Sequence, residues 1–414
     1  MHRQIASHGE PDMSRDLPEF GTPQMLEDPF PFFEDKRAQC PVFSVPSRNV
    51  HIVTRREDIE FVALHPEIFS NKGRASLETF PGQRYKTMPD LASMDGEEHR
   101  EVRKAHMAFV SPKRLREMRP AMEAEAHRLI DLFIDQKEID FIPSFAKPFP
   151  AWVMGSALLD LPREMHAQLD IWAVNYFDLF DKNLHRGGTN GPDRRLIDSY
   201  VEFTNYCGDL TVSHRENPRD TPLSEFVNTA KSDGELYSID EMTCFVRLLV
   251  VGAQTSTNLM AQALVDAIRL GPQLDITDRR ETQKLLDESL RLDGPATYGP
   301  RVCTQDVELG GVHLPAGSRI MLAWQSGNRD EATFENPDQL CPNREKLAKQ
   351  LGYGLGAHRC IGAPLAQLEG EVALQALFGR FKTIRLSDKN DFRHDTSLTS
   401  MRNLLALHLE LEAA

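Results

Sequence analysis

The chain has 414 residues, 40% of them hydrophobic, enough to bury a large core as one big domain or two intimate ones. A formal net charge of −14 argues against nucleic acid as a partner. No stretch reaches the roughly 20 consecutive apolar residues of a bilayer span, and Met1-His2-Arg3-Gln4-Ile5 lacks the apolar core of a signal peptide.

The six cysteines (Cys40, Cys207, Cys244, Cys303, Cys341 and Cys360) are scattered without a C-x-x-C pair, which suits reduced cytosolic thiols. Residues 1–20 are polar and are expected to be a mobile segment, with a single domain over 21–414. Val42-Phe43-Ser44-Val45 and Val50-His51-Ile52-Val53-Thr54 read as two strands around the turn-prone Pro46-Ser47-Arg48-Asn49. His99 and Arg103 lie one helical turn apart, a spacing that an exposed charged face would also show. From Arg114 to Leu132 apolar residues recur at helical spacing, and 187–192 is a loop by composition.

The clearest helix begins at Ser238, which with Glu241 makes a capping-box pair. The apolar run Phe245 to Ile268 follows, and Gly271-Pro272 stops it. About 30 residues at 1.5 Å each give roughly 45 Å. Arg247, Gln254, Asn258 and Gln262 interrupt the run, which favours the central helix of a core over a membrane span. Glu288 and Arg291 share a face of a further helix ending at Gly294-Pro295; alone, that spacing describes a solvated surface pair equally well. Short strands are expected at 307–309, 312–314 and 318–322. The chain is therefore predicted to be mainly α with small β-sheets.

Near the C-terminal end stands Tyr353-Gly354-Leu355-Gly356-Ala357-His358-Arg359-Cys360-Ile361-Gly362. A cysteine behind a glycine-rich turn and before a helix starting near Ala363 or Pro364 suits a thiolate. Glycines let backbone N–H groups approach the sulfur, and the positive end of the helix favours its charge. With no second cysteine nearby, one axial bond to a haem iron is favoured over a zinc or cluster cage.

The segment resembles the haem-binding loop of the cytochrome P450 family, Phe-Gly-x-Gly-x-His-x-Cys-x-Gly, with Tyr353 in place of the phenylalanine. The resemblance implies the family's fold, with haem b between the long central helix and the loop and helix that bear Cys360. It implies that Cys360 is the metal ligand, with Tyr353 and Gly354 beside it. His99, Arg103, Arg301 and His358 are four candidate cations for the two haem propionates, Arg103 and Arg301 foremost. Glu288 and Arg291 resemble the family's Glu-x-x-Arg pair, and Arg344 fits the third member of its buried cluster.

Val251-Gly252-Ala253-Gln254-Thr255 resembles the family's Ala-Gly-x-(Asp/Glu)-Thr. There Gly252 leaves room beside the iron, and Thr255 opens a groove that carries protons. Thr255 and Thr257 are also explicable as ordinary helical hydroxyls. Gln254 stands where an acid is expected, and it cannot titrate. Val251 crowds the site slightly.

Substrate contacts are expected from the loop Ala75 to Met94, the helical stretch Leu169 to Leu184, Ala253, residues 296–299 and Leu398-Thr399. Phe80, Phe177, Phe180, Val251, Tyr298 and Thr399 are candidate lining residues; each aromatic is equally explicable as core. Arg100, Lys104, Lys113, Arg114, Lys346, Lys349 and Arg359 could form a donor-docking patch or a plain solvated charge run.

The implied activity is that of a soluble, cytoplasmic, monomeric haem-thiolate monooxygenase. It would act on a small or medium-sized apolar compound, a terpenoid or aromatic, by C–H hydroxylation or O-dealkylation. Electrons would come from a separate ferredoxin and NAD(P)H ferredoxin reductase. A peroxide-driven peroxygenase is the alternative that Gln254 favours; a haem-based gas or redox sensor is the rival outside enzymes, and Gly252 and Thr255 count against it.

Overall fold

In the computed structural model, which describes residues 17–72, 79–185 and 193–414, the expected cap at Ser238 is present and reciprocal. The Glu241 N–H donates to Ser238 Oγ at 3.2 Å, and the Ser238 N–H donates to the Glu241 carboxylate at 2.7 Å. The helix that follows, Ile239–Leu270, is the central helix, and it ends at Gly271. It is long and apolar enough to cross a membrane, yet 72% of its most apolar window is buried inside the protein. It packs against His166–His185, Arg194–Glu216, Arg279–Asp293 and Ala363–Arg380. Burial on nearly every face explains its apolar composition.

The helix expected over 114–132 spans Pro112–Asp131. It starts earlier because Pro112 suits a first helical position and Ser111 Oγ accepts the Arg114 N–H at 3.4 Å. His99 and Arg103 lie on the preceding helix, Gly96–Phe109.

The strands gather at one side. β1 (Val42–Val45) and β2 (Val50–Val53) form a hairpin whose turn places Asn49 at φ 48°, a conformation asparagine tolerates. With β3 (Phe69–Ser70), β5 (Tyr298–Cys303) and β8 (Arg319–Ala323) they make a sheet of order β1-β2-β8-β5-β3. β4 (Glu138–Asp140) joins β9 (Phe381–Leu386) and β10 (His408–Ala413) in the order β4-β10-β9. β6 (Val307–Leu309) and β7 (Val312–Leu314) pair as a small hairpin.

The largest apolar cluster fills the helical part, and two smaller ones back the five-stranded sheet. The expected loop over 187–192 lies outside the described residues. Residues 1–16 of the expected mobile segment do too, but Phe20 is described and packs against Phe32, Phe43 and Tyr298.

Candidate active site

The segment 353–362 is a tight loop between the sheet side and the helix Ala363–Arg380. Gly354 and Gly356 have φ of 69° and 73°, and a Cβ on Gly356 would meet the Ala63 carbonyl at 2.7 Å, so only glycine fits. The Cys360 N–H donates to the Tyr353 carbonyl at 2.7 Å and closes the loop. The Cys360 side chain faces the N–H groups of Gly362 and Ala363 at the start of the helix. Burial pushes its thiol up, while those N–H groups, Arg103 and Arg359 pull it back toward the thiolate.

Cys360 opens onto a cavity of about 410 Å³, the size range of a cofactor or ligand site. Gly252, Thr255 and Ser256 of the central helix line it, as do Tyr353, Gly354 and Cys360 of the loop. His99, Arg103, Arg301 and His358 also lie in its wall. A Cβ on Gly252 would meet nothing nearer than Met154 Cε at 3.9 Å, so this stretch of helix leaves the cavity clear. A sulfur ligand, a bare helix face and arginines in one wall fit a thiolate-bound haem with its two carboxylates.

The four expected cations are not alike. Burial, with His358 and Arg103 nearby, pushes His99 down to about 4, so it is a neutral donor at neutral pH; its Nε2 is buried without a partner among the described residues. His358 Nε2 is engaged 3.2 Å from Asp95 Oδ1. Burial works against the Asp95 charge, but hydrogen bonds from His358, Ser70 and Asn71 hold its carboxyl well below the usual range. Arg103 donates to the Arg359 carbonyl at 2.8 Å and Arg301 to the Pro300 carbonyl at 2.7 Å. Two arginines, a histidine neutral at neutral pH and a histidine engaged with Asp95 thus stand where four alike cations were expected.

Thr255 Oγ1 donates to the Gly252 carbonyl at 2.9 Å, and the helix stays α-helical through this point. Gln254, in contrast, does not line the main cavity. It faces a small recess with Thr257, Lys147 and Asp170, and the last two form an ion pair at 3.5 Å. A residue missed in the sequence, Glu369, lines the main cavity from the helix Ala363–Arg380. Burial pushes its carboxyl up to about 7, and only Ser256 pulls it back. Cys360 and Glu369 sit on either side of a helix start, and the helical register Gly362, Leu365, Glu369 was the available signal.

Glu288, Arg291 and Arg344 meet as expected. Glu288 and Arg291 have no solvent exposure. Arg291 also donates to the carbonyls of Asn328 and Pro337 at 2.9 and 2.7 Å, while Arg344 Nε donates to Glu288 at 3.3 Å. Asn328 Oδ1 accepts the Leu351 N–H at 2.6 Å, which carries this support to the start of the cysteine loop.

Phe177, Phe180, Val251 and Tyr298 line the cavity. Phe80 and Thr399 do not. Phe80 packs edge-on to Tyr200 at 5.7 Å, and the Thr399 hydroxyl is spent on buried Asp181, 2.9 Å away. The Thr399 and Ser400 N–H groups donate to the same carboxylate at 3.0 and 3.1 Å. Of the loop Ala75 to Met94, residues 75–78 lie outside the described residues; Leu91 and Ala92 reach the cavity. In the expected basic patch, Arg100, Lys113 and Arg114 are paired to Glu97, Glu117 and Glu225. Lys104, Lys346 and Lys349 form no ion pair among the described residues.

Comparison with known proteins agrees with this geometry. The family model described as Cytochrome P450 matches residues 261–407. The cyclomarin C epoxidase CymV of Salinispora arenicola is 31% identical over 364 residues, covering 86% of this chain and 89% of that protein. Putative cytochrome P450 123 of Mycobacterium tuberculosis is 29% identical over 98% of both chains. The structure of cytochrome P450 CYP109Q5 from Chondromyces apiculatus superposes with a TM-score of 0.82 at 26% identity, over 95% of this chain and 98% of that one. On fold, site and kinship together, the chain belongs to the cytochrome P450 family and is a bacterial-type haem monooxygenase.

Proposed function

We propose that this monooxygenase is driven by dioxygen and oxidises a small or medium-sized apolar compound, with Cys360 as the thiolate ligand of haem b. The observation that carries the proposal is the placing of Cys360 in one wall of a cavity whose other wall presents Gly252 and Thr255. A haem held by thiolate supplies dioxygen cleavage, one oxygen atom going to the substrate and the other to water.

The chain's own residues do the rest. Arg103 and Arg301 take the haem carboxylates, and His99 adds a neutral N–H. The Thr255 hydroxyl, bound to the Gly252 carbonyl, keeps its oxygen lone pairs for an incoming proton donor. Glu369 supplies the titratable group that Gln254 lacks, since it is poised near 7 in the same cavity. Tyr176, Phe177, Phe180 and Tyr298 exclude water and hold an apolar ring system, a terpenoid or aromatic. Hydroxylation or O-dealkylation is the proposed outcome; the name of the cyclomarin relative adds epoxidation where the substrate carries a double bond.

The electron donor is a separate acidic ferredoxin with its NAD(P)H reductase, docking over Lys104, Lys346 and Lys349. The working unit is a cytoplasmic monomer with one domain over 21–414. One observation favours a second reading: Gln254 puts no acid beside Thr255, which suits a peroxide-driven enzyme. The test is turnover of a panel of terpenoids and small aromatics, chosen by the Soret shift on binding. Ferredoxin-supported turnover exceeding that with peroxide alone supports the proposal. The reverse hands the reaction to peroxide.

A further inference from the structure

We infer that Arg247 binds an anionic group on the substrate, so that the enzyme takes an otherwise apolar acid and oxidises it at the end remote from its carboxylate. This rests on the cavity being the haem and substrate site proposed above. Arg247 is a specificity residue and takes no part in the oxygen chemistry.

Arg247 is one of the polar residues that interrupt the apolar run of the central helix, and it is 2% exposed. Its guanidinium keeps its charge at any working pH. A buried charge ordinarily faces an opposite one, yet Arg247 forms no ion pair among the described residues. Its one hydrogen bond among them runs from Nη1 to the Thr204 hydroxyl at 3.1 Å. Its Cζ lies 4.7 Å from the Tyr200 ring centroid and 5.9 Å from that of Tyr176. Those ring faces offset part of the burial cost but give its remaining N–H groups no acceptor. Asp90 favours the charge from beyond ion-pair distance. The Asp90 Oδ1 is already engaged, by the Ala92 N–H at 3.1 Å and the Ser93 hydroxyl at 3.0 Å.

The cavity comes within one side chain of this charge. Tyr176 lines the cavity and also faces the guanidinium. Val251, one turn on from Arg247 and sharing its face of the helix, lines the cavity as well, as does Leu248. Leu91 joins them from the loop that carries Asp90, so this part of the wall offers an acid no competing carboxylate. An apolar side chain at 247 would pack the same helices without the cost of burying a charge. The guanidinium fork matches a carboxylate in two parallel hydrogen bonds, which fixes orientation as well as affinity. Arg247 stands eight residues before Thr255. At 1.5 Å per residue that is roughly 12 Å along the helix. A substrate held by its acid at Arg247 therefore brings its opposite end to Thr255, on the side of the cavity that Cys360 faces.

The test uses the haem-loaded protein and two probes of one skeleton, farnesoic acid and methyl farnesoate. Each is titrated by the Soret shift at neutral pH, where the acid is ionised. The wild type should bind the acid about tenfold more tightly than the ester, the scale of one charge-assisted pair. Arg247→Met removes the charge but keeps a long apolar stem; it should bind the two alike, with ester affinity unchanged. Arg247→Lys keeps the charge without the fork and should fall between. The wild-type product of the acid should carry its new oxygen on the half remote from the carboxylate, and Arg247→Met should lose that preference. A wild type that gives no shift with the acid, or that binds acid and ester alike, overturns the assignment. So does an acid preference that survives Arg247→Met, which would move the acid to Arg103 or Arg301. If Arg247→Met takes up no haem, Arg247→Lys carries the test, and a preference equal to that of the wild type overturns it. A wild-type reduced carbon-monoxide complex without the red-shifted Soret band of thiolate ligation is a different failure. It removes Cys360 as the ligand, whereas loss of the Arg247 assignment alone leaves that band in place.

Discussion

Arg291 grips Glu288 with two parallel hydrogen bonds, from Nε at 2.7 Å and Nη2 at 2.8 Å, and neither side chain reaches solvent. Bidentate geometry is the strong form of this pair, and its remaining donors are spent on loop carbonyls. Glu288 also accepts the Cys341 N–H at 2.9 Å. The pair therefore fastens the helix Arg279–Asp293 to the chain that leads into the cysteine loop.

Arg291→Ala should cost roughly 3–5 kcal/mol, since it strands a buried carboxylate. The loop would lose its brace, so haem content should collapse before secondary structure does. Haem absorbance per protein, beside far-ultraviolet circular dichroism, checks this. Normal haem content at normal yield would sink the idea.

Cys360→His should move the reduced carbon-monoxide spectrum from the position typical of thiolate ligation to that of histidine ligation. An unchanged spectrum in this variant would falsify the assignment of the ligand.

Gln254 and Thr255 are adjacent in sequence but face different spaces, and their variants should differ accordingly. Thr255→Ala removes the hydroxyl from the main cavity and should raise peroxide release. Gln254→Glu places its acid in the recess beside Lys147 and Asp170. Its gain in coupled turnover should be well below the 10²–10⁴-fold typical of general acid–base catalysis. Product formed per NAD(P)H consumed, with peroxide measured alongside, decides both.

Glu369 predicts a pH dependence. Burial raises its pKa from 4.5 to about 7 in the folded protein. Between those values the folded state keeps a proton that the unfolded state has lost. Its contribution is therefore fully present below 4.5 and is lost as pH rises through 7. At about 1.36 kcal/mol per unit, the loss is roughly 3 kcal/mol. Glu369→Gln should remove this slope. Denaturation midpoints at about pH 5 and about pH 8 should diverge in the wild type more than in the variant. Equal divergence would rule the effect out.

What the sequence made legible was local. The Ser238–Glu241 cap, the glycine-rich turn and the cysteine before a helix are each encoded within a few residues. The structure reproduces all three. The buried Glu288–Arg291–Arg344 cluster was legible only through its resemblance to a known pattern. Hidden from the sequence were pairings between distant elements. Thr399 is 218 residues from the Asp181 that occupies it, and nothing in either neighbourhood announces the other. His99 sits in the wall it was expected to line, but burial beside His358 and Arg103 takes away its charge, and burial is a property of the whole fold. Glu369 was passed over because a lone glutamate on a helix ordinarily faces water.

The Asp181 clasp fixes one wall of the cavity. It anchors the carboxyl-terminal part of the helix His166–His185 to the segment before β10, and Phe177 and Phe180 lie within a turn or so of that anchor. The other end of the helix is held as well, by His166 Nε2 at 2.9 Å from Ser156 Oγ and by the Lys147–Asp170 pair. The placing of the aromatic wall thus depends on a contact between residues 218 apart in the chain, and a change at Asp181 would reshape the cavity without touching a residue that lines it.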